Sequence, residues 1–179
     1  MILFAQPYSL NKNIAEEYNY YMSTLPDDND WYCFTDGDSK FTTDNYGHHL
    51  ADIINKNPGA WLFTSMTNRI GNKEQCVEGM WGSEDMRIHR LKGRELQKKY
   101  AHSCTDITNS ELLGGVLILI QKKAWLKAGK FTGNGILGVD NNIHISVKKA
   151  GGKIYLMKGF YVYHWYRGGN RFNKQHLLK

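Results

Sequence analysis

Two carboxylates one residue apart, Asp36 and Asp38, directly follow the apolar run Trp31 to Thr35. This run predicts a buried strand, bounded upstream by the polar segment 26–30. Neighbouring carboxylates repel each other unless a cation lies between them, and Mg²⁺ and Mn²⁺ favour such oxygen ligands, often together with substrate phosphates. Ligands of open α/β sheets also bind beyond the carboxyl ends of strands. The pair therefore predicts a metal-bound phosphate ligand, although Asp36-Gly37-Asp38 is equally good turn chemistry.

Two further residues that can do chemistry lie much later in the chain. Asp140 follows the glycine-rich segment 131–138, and His164 ends an apolar run. A carboxylate can remove a proton from a reacting hydroxyl, and an imidazole can complete a metal site. Each residue also has a structural alternative, because Asp140 can cap a helix and His164 can be a half-buried histidine between two aromatic residues.

Several other residues are weaker candidates for ligand binding. Tyr8 after Pro7 can stack on a nucleobase, and Asn13 can meet phosphates at a helix N-terminus. Packing and capping are the alternatives for these positions. The remaining candidates are Asn68 and Arg69 for donor or acceptor binding, Arg167 for closing over a diphosphate, and Trp165 and Tyr166 for stacking on a sugar ring.

Alternating strands and helices must position these residues. Strands are predicted at 2–8, 31–35 and 60–66, with helices at 14–25 and from 42 or 43 to 57. The alternation predicts an α/β fold with a mostly parallel sheet flanked by helices. Residues 67–110 are less periodic and predict a long loop or insertion, with a helix at 87–100, that lies over the active site or is mobile. Later strands at 112–120, 154–157 and 160–164, with helices at 121–128 and 139–150, predict a mixed sheet.

Length and composition point to one domain with a real core. The chain has 179 residues, 41% of them hydrophobic, and a net charge of +6. Residues 1–58 carry 3 basic and 9 acidic side chains, whereas residues 59–179 carry 20 basic and 8 acidic ones. The cationic part can attract phosphates of a nucleotide, a lipid carrier or nucleic acid. No nucleic-acid-binding signature accompanies it, so no stable nucleic-acid partner is expected.

The chain carries no apolar run long enough for a membrane span, and its start does not resemble a secretory signal. The three cysteines, Cys33, Cys76 and Cys104, have no metal-ligand spacing and suit free thiols. These features predict a protein of the cytoplasm, either free or peripheral at the membrane surface.

The order of these motifs resembles the inverting glycosyltransferases of family 2, which have a GT-A fold. The Asp36-Gly37-Asp38 stretch is similar to the family's D-x-D motif, Val139-Asp140 to its acidic motif, and Val162 to His164 to its late histidine. The other matching segments are 13–19, Gly114-Gly115, and 123–131. The resemblance spans roughly residues 2–166. It implies a compact GT-A-like domain over 1–166, followed by a basic tail over 167–179 that is expected to be flexible.

The resemblance also implies residue roles. Asp36, Asp38 and His164 would hold Mn²⁺ or Mg²⁺, with Asp38 the preferred direct ligand, and Asp140 would be the catalytic base. Pro7, Tyr8, Asn13, Asp36, Gly37, Asn68, Arg69 and Arg167 would bind the nucleotide-sugar, and Gly115, Trp165 and Tyr166 the acceptor. The acceptor would be a glycan, a lipid carrier or a protein.

Two departures from the family pattern keep other functions open. The segment before Asp36 is shorter than in the family, and the acidic motif has one carboxylate, because Asn141 follows Asp140. These departures favour, as alternatives, a nucleotide- or sugar-binding module with impaired catalysis, or a metal-dependent nucleotidyltransferase. A basic nucleic-acid-binding protein is a further alternative.

Overall fold

A computed structural model describes residues 1–166 of the protein. The predicted basic tail over 167–179, including Arg167, lies outside the described residues. The strands are β1 Ile2–Ala5, β2 Trp31–Thr35, β3 Ser39–Phe41, β4 Ala60–Thr67, β5 Cys104–Asp106, β6 Leu117–Gln121 and β7 Lys153–His164. The helices are α1 Ile14–Ser23, α2 Tyr46–Lys56, α3 Met86–Tyr100, α4 Lys122–Lys127 and α5 Val139–Lys149, with a 3₁₀ turn at Lys73–Gln75.

The seven strands form one mixed sheet in the order β1-β2-β6-β4-β7-β3, with β5 also paired to β7. The prediction of a mostly parallel sheet is wrong, because among the strands within residues 1–166 only β1–β2 and β4–β7 pair in parallel. The late strand β6 enters between β2 and β4 and runs antiparallel to both. The short strands β3 and β5 add two further antiparallel pairs on β7. Apart from β1 and β2, strands that are neighbours in sequence are therefore separated in the sheet.

Helices cover both faces of the sheet, as predicted. Alternate residues of β2 face opposite ways: Tyr32 and Phe34 belong to one core cluster and Trp31 and Cys33 to the other. The first cluster includes buried residues of α1, α4 and α5, and the second includes those of α2. All five residues of β2 are buried, which explains the continuous apolar run that precedes the two carboxylates.

The region 67–110 contains more regular structure than its weak periodicity indicates. Helix α3 packs along β7. Its Gly93 lies against the Thr42 side chain, so closely that a Cβ at this position would collide with it. The Thr42 hydroxyl in turn donates a hydrogen bond of 2.6 Å to the Tyr161 carbonyl on β7. The glycine thus allows the helix to approach the sheet edge.

Two strand boundaries differ from the prediction. β6 begins at Leu117, so residues 112–116 form a loop before it. β7 is one strand instead of two, with a register shift between Met157 and Tyr161 where it pairs with β4. None of the helices within residues 1–166 is long and apolar enough to cross a membrane.

Candidate functional site

The Asp36-Gly37-Asp38 segment is a tight turn that crosses from one strand of the sheet to a distant one. The backbone N–H of Ser39 donates a 3.1 Å hydrogen bond to the Asp36 carbonyl, and the Ser39 hydroxyl donates one of 2.7 Å to the same oxygen. Ser39 then pairs with His164 at the end of β7. The turn therefore places both carboxylates next to His164, which is far from them in the sequence but adjacent in the sheet.

These three side chains converge on one point. The Nε2 atom of His164 lies 3.4 Å from Asp36 Oδ2 and 3.1 Å from Asp38 Oδ1. One ligand atom from each residue lies within 4.8 Å of the other two, so the group can hold a metal ion. The turn interpretation and the metal interpretation of the sequence are thus compatible, since the turn is what aims the carboxylates.

A hydrogen bond to the second ring nitrogen fixes the orientation of the His164 ring. Nδ1 of His164 lies 2.8 Å from the Arg69 carbonyl oxygen. A carbonyl can only accept a hydrogen bond, so Nδ1 carries the proton, and a neutral ring has its lone pair on Nε2. This is the arrangement in which a histidine binds a metal while its second nitrogen is held by an acceptor.

Asn68 and Arg69, predicted to bind donor or acceptor, are fully buried behind the site. The Asn68 amide accepts a hydrogen bond of 2.7 Å from the His164 N–H and donates one of 3.1 Å to the His164 carbonyl. The Arg69 guanidinium donates to the carbonyls of Trp81, Ser83 and Trp165. Neither side chain lines the cleft. Their contacts hold the His164–Trp165 segment in place.

The electrostatics of the group are those of a site that needs a positive charge. Burial raises the pKa of Asp36 from 3.8 to about 6, and the neighbouring Asp38 and Asp140 add to the rise, while His164 opposes it. Burial lowers the pKa of His164, but its hydrogen bond to Asp38 and the charges of both carboxylates outweigh that effect and raise it overall. Protons and a metal ion would therefore compete for the same place.

Two carboxylates and one imidazole nitrogen form a donor set that fits a divalent cation. Carboxylates suit Mg²⁺ and Mn²⁺, whereas an imidazole ligand is less usual for Mg²⁺, which prefers oxygen ligands. The fit rests on the ring orientation of His164, because the nitrogen that faces the carboxylates is the one that can offer a lone pair.

Asp140 lies in the first turn of α5 and is held by backbone donors. Its Oδ2 accepts a 2.9 Å hydrogen bond from the Gly115 N–H, and its Oδ1 accepts one of 2.9 Å from the Asn141 N–H. The N-cap position belongs to Gly138, which has a φ of 83°. Burial raises the pKa of Asp140 more than these hydrogen bonds lower it. The carboxyl is therefore a stronger base than an ordinary aspartate.

A cleft of about 910 Å³ connects the metal group with Asp140. Pro7, Gly37, Gly115, Trp165 and Tyr166, all predicted from the sequence, line this cleft. Tyr8 and Asn13 do not: the Tyr8 side chain is exposed at the surface, and the Asn13 amide donates to Glu16 instead. The cleft thus brings together the predicted metal ligands, base and acceptor residues.

The sequence did not identify every residue of the cleft. Tyr18, which falls within the predicted helix at 14–25, lies close enough to Asp36 and Asp140 that both carboxylates help to raise its pKa, although burial contributes most. Leu112, Ile136 and Leu137 supply an apolar part of the wall. Nothing in their local pattern separates these residues from ordinary core or loop positions.

A scan of the chain against protein-family models finds no match, and a search of characterised proteins finds no similar sequence. The site is therefore interpreted from its own geometry.

Proposed function

We propose that the protein is a metal-dependent glycosyltransferase that moves a sugar from a nucleotide-diphosphate sugar to an acceptor hydroxyl with inversion. One observation carries the proposal: a single cleft is lined by a metal-binding group, formed by Asp36, Asp38 and His164, and by the half-buried carboxyl of Asp140, whose pKa is raised. Transfer of a sugar needs both functions, charge stabilisation on the leaving diphosphate and removal of a proton from the acceptor.

The metal end would bind the donor through its diphosphate. Asp36, Asp38 and His164 would hold Mn²⁺ or Mg²⁺, and the imidazole among the ligands favours Mn²⁺. When bound, the ion supplies Lewis-acid stabilisation of the charge on the leaving phosphate. The chain's own contribution is to keep Nε2 of His164 turned towards the carboxylates, through the Arg69 carbonyl and the Asn68 amide.

The opposite end would activate the acceptor. Asp140 would take the proton from the acceptor hydroxyl, and the raised pKa makes its carboxylate a better proton acceptor. The N–H groups of Gly115 and Asn141 orient the carboxylate without neutralising it. Inversion requires that the acceptor attack from the side opposite the leaving diphosphate, and a base and a metal group on one cleft suit that geometry.

The aromatic wall beside the metal group would bind the sugar, since the Tyr166 ring centre lies 5.3 Å from that of His164. Trp165 is 48% exposed and lines the cleft together with Tyr166. Aromatic rings pack well against the apolar face of a sugar. The acceptor is a glycan, a lipid carrier or a protein, and Leu112, Ile136 and Leu137 provide an apolar surface beside it.

A metal-dependent nucleotidyltransferase is the second candidate, because paired carboxylates also serve metal-bound phosphates in that reaction. The two functions differ in the product. A nucleotide-sugar that yields a free nucleoside diphosphate has lost its sugar, whereas release of pyrophosphate from a nucleoside triphosphate marks nucleotide transfer.

The test is turnover of a panel of nucleotide-sugars with Mn²⁺, measured as release of the nucleoside diphosphate. We expect Asp38→Ala to reduce turnover by about 10³-fold, since metal stabilisation of the leaving group is worth several kcal/mol. The matched control is Asp44→Ala, which removes a side chain that is 90% exposed and does not line the cleft.

Three outcomes distinguish the candidates. Equal turnover in the wild type and Asp38→Ala would contradict the metal model. Nucleotide binding with Mn²⁺ but no turnover of any donor would favour the binding module. Pyrophosphate release would favour the nucleotidyltransferase.

A further inference from the structure

The outer face of α3 combines large apolar side chains with a high density of positive charge. Ile88 is 47% exposed and Leu91 is 65% exposed. Residues three apart are neighbours on one helix face, so the two side chains form one apolar surface. Trp81, in the loop before the helix, is a third exposed apolar side chain at 38%.

Basic residues surround this apolar surface. The helix contains 6 basic residues and 1 acidic residue over 86–100. Some of the charge is balanced, since Arg87 pairs with Asp85, Lys92 with Glu95 and Arg94 with Asp44. Within residues 1–166, no carboxylate lies within salt-bridge distance of the other basic side chains of the helix. These are Arg90, Lys98 and Lys99.

The exposure of Ile88 and Leu91 is enforced by how the helix is anchored. His89, Gly93 and Leu96 are the buried residues of α3. A hydrogen bond of 2.7 Å joins the Tyr161 hydroxyl to Nδ1 of His89, and Gly93 lies directly against Thr42. These contacts fix the rotation of the helix, so the apolar pair cannot turn inward.

We infer that this face, formed by Ile88 and Leu91 with Arg90 and Lys98, docks on an anionic lipid surface. Basic helices with one apolar stripe bind in the interface of membranes, where the apolar side chains enter the acyl boundary and the cations meet the headgroups. Nucleic acid is a poorer partner, because phosphate contacts need cations but gain little from exposed aliphatic side chains. The docking does not depend on the proposed function.

The loop that leads into the docking helix lies beside the cleft. The Trp81 ring centre is 6.0 Å from that of Tyr166, and Tyr166 lines the cleft. Arg69 also ties the two parts together, since its guanidinium donates to the carbonyls of both Trp81 and Trp165. A protein docked through α3 would therefore hold its cleft near the lipid surface.

The test is co-sedimentation with vesicles of phosphatidylcholine mixed with phosphatidylglycerol, and with vesicles of phosphatidylcholine alone. We expect binding to the mixed vesicles that weakens as salt is added. Arg90→Glu combined with Lys98→Glu should lower the partition coefficient at least ~20-fold. Ile88→Glu combined with Leu91→Glu should lower it at least ~10-fold and make the remaining binding wholly salt-dependent.

Two matched controls keep the test specific. Lys148→Glu combined with Lys149→Glu makes the same charge change on α5, and Tyr20→Glu replaces a side chain that is 64% exposed on the acidic helix α1. Both controls should bind like the wild type, and circular dichroism should show that all variants are folded.

Several outcomes would overturn the inference. The first is failure of the wild type to bind mixed vesicles. The second is an equal loss in the Lys148/Lys149 control, which would indicate attraction by net charge alone. The third is binding to duplex DNA in place of vesicles, and the fourth is a dimer in sedimentation velocity that Ile88→Glu with Leu91→Glu dissociates.

Discussion

The two ends of the cleft hold their carboxylates in different ways. At the base end, each oxygen of Asp140 accepts a hydrogen bond from a backbone N–H, of Gly115 or Asn141. At the metal end, carboxylate oxygens of Asp36 and Asp38 face the Nε2 atom of His164 at 3.4 and 3.1 Å. One carboxylate is oriented by the fixed backbone, and the other two are part of a group whose charge can change.

This difference identifies the part of the site that is complete without a ligand. The Gly115 and Asn141 N–H groups hold Asp140 without any contact to the metal-binding side chains, so Asp140 should keep its position whether or not a metal ion is bound. The metal end is balanced by a proton or by a cation, so its stability and its shape should respond to both. The two ends should therefore be separable by substitution.

Among the substitutions that distinguish the metal end from the base end, Asp140→Asn should have the largest effect. The amide cannot accept the acceptor's proton, and we expect turnover to fall by about 10²–10⁴-fold, the usual contribution of a positioned base. Mn²⁺ affinity should stay within about twofold of the wild type, as measured by calorimetry. A loss of Mn²⁺ affinity as large as that in Asp38→Ala would show that the two ends are one unit.

Asn68→Ala tests how far the metal end depends on the residue that holds His164 in place. Its amide holds both the N–H and the carbonyl of His164, so its loss leaves two buried groups unpaired and destabilises the fold by about 1–3 kcal/mol for each. Mn²⁺ affinity should fall by about 10–100-fold, as is usual for residues that orient a metal ligand. Urea unfolding and calorimetry measure the two effects.

Asn72→Ala is the control for that comparison. Asn72 is also buried, and its amide donates to the carbonyls of Glu111 and Leu112, in the segment that precedes β6. The Asn72→Ala substitution should destabilise the protein without lowering its affinity for Mn²⁺. Equal losses of affinity in both variants would mean that general loosening, and not the orientation of His164, weakens the site.

The sequence predicted the local parts of this fold well. Periodicity located α1, α2, α5, β2 and β4, because each has a core-facing pattern with clear punctuation at its ends. It did not predict strand order, which depends on contacts between distant segments. β3 has three residues, too few for alternation to show, and yet it is the strand that brings Asp38 to His164.

The site was predictable to the same extent. Residue type and position indicated Asp36, Asp38, His164 and Asp140, since carboxylates and imidazoles at strand ends have few structural uses. The same reasoning assigned Asn68 and Arg69 to ligand binding, but the structure shows them fully buried. A polar side chain after a strand can point outward or inward, and only the packing decides between them.

Gly115→Ala should disturb the base end alone. A Cβ at this position would lie 3.1 Å from the Asp140 Cβ and 3.3 Å from its Oδ2, so the carboxylate must shift. We expect turnover to fall by about tenfold, because a small displacement of a catalytic group is costly, with Mn²⁺ affinity unchanged. Gly47→Ala, whose Cβ would have no neighbour within 4 Å, should change neither quantity.

The smallest expected effect concerns pH and addresses the metal end. The pKa of Asp36 is raised from 3.8 to about 6, so the folded state binds a proton more tightly than the unfolded state. The stability that protonation of Asp36 adds is therefore complete below about pH 3.8 and is lost as the pH rises through about 6. The raised pKa values of Asp140 and His164 act in the same direction.

The lowered pKa values of the buried His49, His89 and His144 act in the opposite direction over the same range, so the effect of Asp36 is measured against Asp36→Asn. In EDTA, the step in urea midpoint from about pH 5 to about pH 7.5 should be more negative in the wild type than in Asp36→Asn. Saturating Mn²⁺ should raise the midpoint more at about pH 7.5 than at about pH 5, because the ligands bind the ion only when deprotonated. The lowered pKa of Asp106, about 2, falls outside this window and cannot produce the step. An unchanged step in Asp36→Asn would mean that Asp36 does not take up the proton, and the metal end would then not respond to pH as we expect.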